Sequence, residues 1–127
     1  NMVKYHIKSA SPICPNSHKE YGYTVSDKVI IGQNIRQHVA GWCIVLDRLW
    51  FLKMGGFDER FTLWCADNSY GEQLKNFDEK HLLDCSSIVH HVQSASLDKL
   101  DDNKRDEYTR KQVIKFNREF NANIFNL

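Results

Sequence analysis

The sequence predicts a mixed α/β fold, and three observations carry that prediction. Short β-branched or partly alternating runs lie at residues 29–31 and 39–46. Apolar positions recur at helical spacing in 70–77 and again in 108–120, and glycine, proline, asparagine and serine punctuate the stretches between. At 127 residues the chain has the length of one domain with a single modest core. Its net charge of +1, with no basic stripe, supplies no field for nucleic acid or for a membrane surface. The longest apolar run, around 42–46, is of strand length, so no membrane span is expected.

From the N-terminus, residues 1–37 read as a loop-rich segment. Within it, 9–27 is broken by Pro12, Pro15, Asn16, Ser17, Gly22, Ser26 and Asp27. Val29, Ile30 and Ile31 make a short strand and Gly32-Gln33-Asn34 a turn. Residues 36–46 then form the second arm of a hairpin, with Val39, Trp42, Ile44 and Leu46 partly alternating. Asp47 is placed to cap a short helix over 48–54, ended by Gly55-Gly56. A second helix opens at Asp67 and runs to about Phe77, with Tyr70, Leu74 and Phe77 on one face. Two short strands follow, at 81–85 and 88–91. A charged run over 98–106 leads into an amphipathic helix of roughly four turns, carrying Tyr108, Val113, Ile114, Phe116 and Phe120.

The densest chemistry lies in residues 55–67, Gly-Gly-Phe-Asp-Glu-Arg-Phe-Thr-Leu-Trp-Cys-Ala-Asp. A tight turn is followed by an aromatic trio, Phe57, Phe61 and Trp64, which suggests a loop packed onto a core. Asp67 has two compatible readings: an N-cap for the following helix, or a general base held at the lip of a pocket. Trp42 and Trp64 suit the C–H face of a sugar ring and suit a core equally well.

This string resembles the acceptor-side motif of family 2 glycosyltransferases, enzymes of the GT-A fold. Gly41-Trp42-Cys43-Ile44-Val45-Leu46-Asp47-Arg48 is similar to the family's Gly-x-x-hydrophobic strand leading into a short helix. Cys85-Ser86-Ser87-Ile88-Val89-His90-His91 is similar to its strand ending in a histidine. The resemblance covers roughly residues 38–97. It implies a partial GT-A-like domain with Asp67 as catalytic base and His90 as ligand of a divalent metal, Mn or Mg. It also implies an acceptor-binding surface of Gly41, Trp42, Trp64 and Asp58, the last chiefly tying down its loop. Ser94 and Ser96 fall where the family often has a flexible lid. The family's usual first acidic residue before the base is replaced here by Ala66.

No Asp-x-Asp and no repeated strand-helix pattern precede these motifs. The chain therefore reads as the acceptor-side half of a sugar-nucleotide-dependent enzyme, acting on a hydroxyl acceptor and inactive alone. A non-catalytic carbohydrate- or protein-binding module is the alternative. Apolar surface and strand edges uncovered by the missing half imply a homo-oligomer, a dimer above all. Cys14, Cys43, Cys65 and Cys85 form no Cys-x-x-Cys and read as free thiols. Residues 1–10 show no signal-peptide pattern, so a cytoplasmic location is expected.

Overall fold

The computed structural model describes residues 1–62, 64–92 and 101–126. They form a mixed α/β structure around a four-stranded sheet of order β2-β4-β1-β3. The strands are β1 (Ser9–Ile13), β2 (Val29–Gly32), β3 (Val45–Leu46) and β4 (His81–Ile88). The main helices are α1 (Pro15–His18), α2 (Arg48–Lys53), α3 (Ala66–Asn76) and α4 (Asp102–Phe120). Among the described residues no helix is long and apolar enough to cross a membrane.

The principal departure from expectation is β1, which occupies part of the predicted loop yet lies inside the sheet. It pairs in parallel with β4 and antiparallel with β3. Pro12 pairs with Asp84 beside a slip in the β1–β4 register between Pro12 and Ile13, the kind of irregularity at which proline is found within sheets. The predicted hairpin is also absent: β2 pairs antiparallel with β4, and β3 pairs with β1. The two strands expected at 81–85 and 88–91 are one strand that ends at Ile88.

Capping and turn chemistry behave as local rules require at α2. The Trp50 amide donates to Asp47 Oδ1 at 2.8 Å, and Gly55 and Gly56 end the helix with φ of 89° and 82°. At the other end of the chain, Asp101 caps α4 through the Lys104 amide at 3.3 Å. Asn121 closes α4 in the left-handed region at φ 47°.

Apolar burial is divided among several clusters. Val39, Trp50, Met54, Tyr70 and Leu74 pack α2 and α3 together. Phe61, Cys65, Val113 and Phe116 pack the aromatic loop on α4. Phe57 does not belong to this buried set; it is 48% exposed and meets Phe51 and Tyr70 edge-on. Of the predicted face of α3, Tyr70 and Leu74 are fully buried while Phe77 is 44% exposed, because α3 ends at Asn76. The edge strands carry exposed β-branched side chains, Ile31 on β2 and Val45 on β3.

Between α3 and the sheet runs a buried polar chain. Tyr70 donates its hydroxyl to Ser9 Oγ at 2.6 Å, Ser9 Oγ lies 2.6 Å from His81 Nδ1, and His81 Nε2 lies 2.8 Å from Ser11 Oγ. With Tyr70 donating to Ser9, the Ser9 proton is available to Nδ1, and the tautomer with its hydrogen on Nε2, toward Ser11, is the one in which each donor of the chain meets an acceptor. Burial, reinforced by nearby His38, depresses the His81 pKa to about 3, against about 6.5 in the unfolded chain.

Below about pH 6.5 the unfolded chain binds a proton that folded His81 refuses, so stability falls as pH drops from about 6.5 toward 3. His18 and His38, both lowered by burial, act in the same direction. In His81→Gln, the loss of unfolding free energy between pH 6.5 and 5 is expected to shrink by about 1–2 kcal/mol. Denaturant titrations at the two pH values measure it; an unaltered difference would place the acid sensitivity elsewhere.

Candidate functional site

Helix α3 begins one residue before the expected cap. Cys65 occupies the N-cap position with φ 63° and ψ 7° and makes no side-chain cap bond. Asp67 thereby falls inside the first turn, where a carboxylate meets the positive end of the helix. Its Oδ1 accepts from the Asn68 amide at 2.9 Å. The carboxylate also makes itself felt on Cys65: burial first, then the charge of Asp67, pushes that thiol up to about 11.

Asp67 stands on the wall of a cavity of about 400 Å³. Gly41 lies directly against it: a Cβ added at Gly41 would sit 3.0 Å from Asp67 Cβ and 3.4 Å from Oδ2. Glycine at 41 is therefore a matter of close approach. Trp42 and Trp64 line the same cavity, with Phe57, Tyr70 and Ile44 as further apolar wall. The indole nitrogens of both tryptophans are buried without a hydrogen-bond partner among the described residues.

Four of the residues singled out by sequence thus meet at one cavity: Gly41, Trp42, Trp64 and Asp67. Two do not. Asp58 lies outside the lining and is tied to Arg60, whose backbone amide donates to its Oδ1 at 3.1 Å and whose guanidinium bridges it at 2.8 Å. Hydrogen bonding from Arg60 holds the Asp58 carboxyl below its usual range. That arrangement closes a loop rather than offering a ligand group.

His90 is exposed and also absent from the lining, which instead contains His91. The expectation for His90 came from the resemblance, which placed it on a strand running to residue 91. The strand ends at Ile88, and the Val89 amide then donates to Ile13 O at 2.9 Å. From there the His91 ring stacks on Trp42, with centroids 5.0 Å apart and 16° between planes. His18 meets Trp42 as well, tilted at 5.6 Å. Trp42 is thus engaged by two imidazoles.

Sequence reasoning missed two further wall residues, Arg36 and Phe125. Arg36 sits in a tight turn, with its amide donating to Val39 O at 2.9 Å, and has φ 66°. Phe125 has φ 57° and is brought in by the turn after α4. There Asn117 accepts from the Ile124 amide at 2.9 Å and donates to its carbonyl at 3.3 Å. The guanidinium of Arg36 lies 5.6 Å from the Phe125 ring centroid. No local pattern announces either residue, because the pairing joins segments at opposite ends of the chain.

The divalent cation implied by the resemblance does not fit the described donors. On the lining Asp67 is the sole carboxylate and His91 the sole imidazole. Among the described residues, no three histidine, cysteine, aspartate or glutamate side chains converge to hold a metal. Structural and catalytic cations draw on three or more protein donors or on several carboxylates. Ser94 and Ser96 lie outside the described residues. All four cysteines are free, and Cys43 alone is not buried.

Comparison of the chain with protein-family models, with curated proteins and with solved structures found no match.

The two aspartates near helix starts should respond differently to substitution. Asp47→Ala removes a real cap and is expected to cost about 1 kcal/mol. Asp67→Asn keeps an acceptor for Asn68 and is expected to cost no more than about 0.5 kcal/mol. Urea unfolding compares them; an Asp67→Asn loss equal to or above that of Asp47→Ala would make Asp67 a structural residue first.

Proposed function

We infer that this chain is the acceptor-binding and catalytic-base portion of a sugar-nucleotide-dependent glycosyltransferase. One observation carries the reading. Gly41, Trp42, Trp64 and Asp67, picked from separate stretches by their resemblance to family 2 motifs, line one cavity. The aromatic walls suit the apolar face of a sugar ring, and they position an acceptor hydroxyl beside the carboxylate.

The chemistry assigned to Asp67 is proton removal from that hydroxyl. The acceptor oxygen forms a bond to the anomeric carbon of the donor sugar. The bond from that carbon to the diphosphate oxygen breaks, its electron pair leaving with the nucleoside diphosphate. The acceptor's proton passes to Asp67. Because Oδ1 already receives the Asn68 amide, Oδ2, which faces Gly41, is the oxygen assigned to take it. Groups that hold the diphosphate are not among those assigned to this cavity.

This chain alone is expected to show no transfer, whereas a complete enzyme joining it to a nucleotide-binding half, assayed with a panel of sugar nucleotides, hydroxyl acceptors and manganese, is expected to transfer sugar. Asp67→Asn should lower the rate by at least about 100-fold, with circular dichroism unchanged. A rate close to that of the parent would remove Asp67 as the base. Sugar binding with no nucleotide-dependent transfer would assign the cavity to a carbohydrate-binding module instead.

A further inference from the structure

We propose that the cavity takes an acidic sugar, one bearing a carboxylate or phosphate, with Arg36 receiving the anion and Asp67 facing a hydroxyl. The inference rests on the carbohydrate reading of the cavity and adds the substrate class to it.

The first support is charge. Arg36 and Asp67 both line the cavity, and among the described residues Arg36 has no carboxylate at ion-pair distance. A guanidinium with no counter-ion among the described residues, on a largely aromatic wall, is suited to bidentate capture of a carboxylate or phosphate. Its guanidinium carbon lies 5.6 Å from the Phe125 ring centroid, a contact that uses the cation's face and consumes no N–H group. A ligand matching the whole cavity thus carries a hydroxyl for the carboxylate, an apolar ring face for the indoles and an anion for the guanidinium.

The second support is backbone strain, an observation independent of charge. Arg36 and Phe125 both adopt left-handed φ, at 66° and 57°. Such a conformation costs a bulky non-glycine residue roughly 1–2 kcal/mol. Two strained residues from distant segments meet at one wall of one cavity. Glycine would satisfy the turn at 36 with less strain, so fold stability alone does not account for arginine there. Strain of this kind clusters where side chains are held for a ligand.

The full chain is titrated with glucose, glucuronate and glucose 6-phosphate, following the indole N–H resonances of Trp42 and Trp64. At least one of the two acids is expected to bind about tenfold or more tighter than glucose, and which one does so distinguishes carboxylate from phosphate. Arg36→Gly, which suits the left-handed turn, is expected to erase that preference while thermal stability holds or rises. Glucose binding as tightly as both acids, or an acid preference that survives Arg36→Gly, would overturn the proposal while leaving a carbohydrate site in place. If none of the three shifts either indole signal, the carbohydrate reading fails and this inference with it.

Discussion

The polar chain from Tyr70 through Ser9 and His81 to Ser11 fixes where everything at the cavity can be. All four residues are essentially sealed from solvent. Apolar contacts between a helix and a sheet permit small slides, because they are non-directional. Hydrogen bonds of 2.6 Å and 2.8 Å to named atoms do not. Burial pushes the Tyr70 phenol up to about 12, so it stays a donor across the working pH range. Asp67 lies three residues before Tyr70 on the same helix, and its distance from Gly41 is set by that tether. The inward face of β1 carries serines where a sheet packed only by burial would carry aliphatic side chains.

The wall opposite depends on a different kind of contact. Trp64 packs with the Phe61, Val113 and Phe116 cluster and therefore moves with α4. Arg60 adds a bridge between Asp58 and Glu119 of α4, both at 2.8 Å, but its side chain is half exposed. Ion pairs in that setting contribute little. The edge-on packing of Phe61 against Phe116, with centroids 5.7 Å apart, is the stronger constraint. The cavity thus joins a wall held by directional bonds to a wall held by burial. The second is the more compliant of the two, since burial sets no unique geometry.

The sequence made legible what depends on short-range chemistry. The cap at Asp47, the Gly55-Gly56 stop, the periodicity of Tyr70 and Leu74, and the mixed class of the fold all follow from neighbours in the chain. Pairing partners did not follow. β1 was hidden by Pro12, which reads as a strand breaker and here lies beside a register slip. The hairpin failed because β2 and β3 both find longer-range partners, which local turn signals cannot weigh. At the site, Gly41, Trp42, Trp64 and Asp67 were legible in the sequence and line one cavity, whereas Asp58 and His90 lie off it and Arg36 and Phe125 carried no signal. His91, not His90, reaches the cavity, because the strand on which the resemblance placed both ends at Ile88.

The start of α3 shows how a broken local rule leaves a carboxylate oxygen off the helix it belongs to. Asp47 and Asp101 each spend a carboxylate oxygen on the helix they precede. Had α3 begun in the same way, Asp67 would have spent Oδ1 on an amide one turn along, and the side chain would have turned back over its own helix. Instead Cys65 takes the strained left-handed conformation and the helix starts at Ala66. The strain at Cys65 is the cost, of order 1 kcal/mol, and a lost side-chain cap adds about as much. What results is a carboxylate in the first turn of a helix, engaged by one adjacent amide and otherwise turned to the cavity. Stability by itself would favour the capped arrangement. Helices α2 and α4 open on an aspartate cap, whereas α1 and α3 open on Cys14 and Cys65 without a side-chain cap, and at α3 this leaves Asp67 Oδ2 off the helix amides.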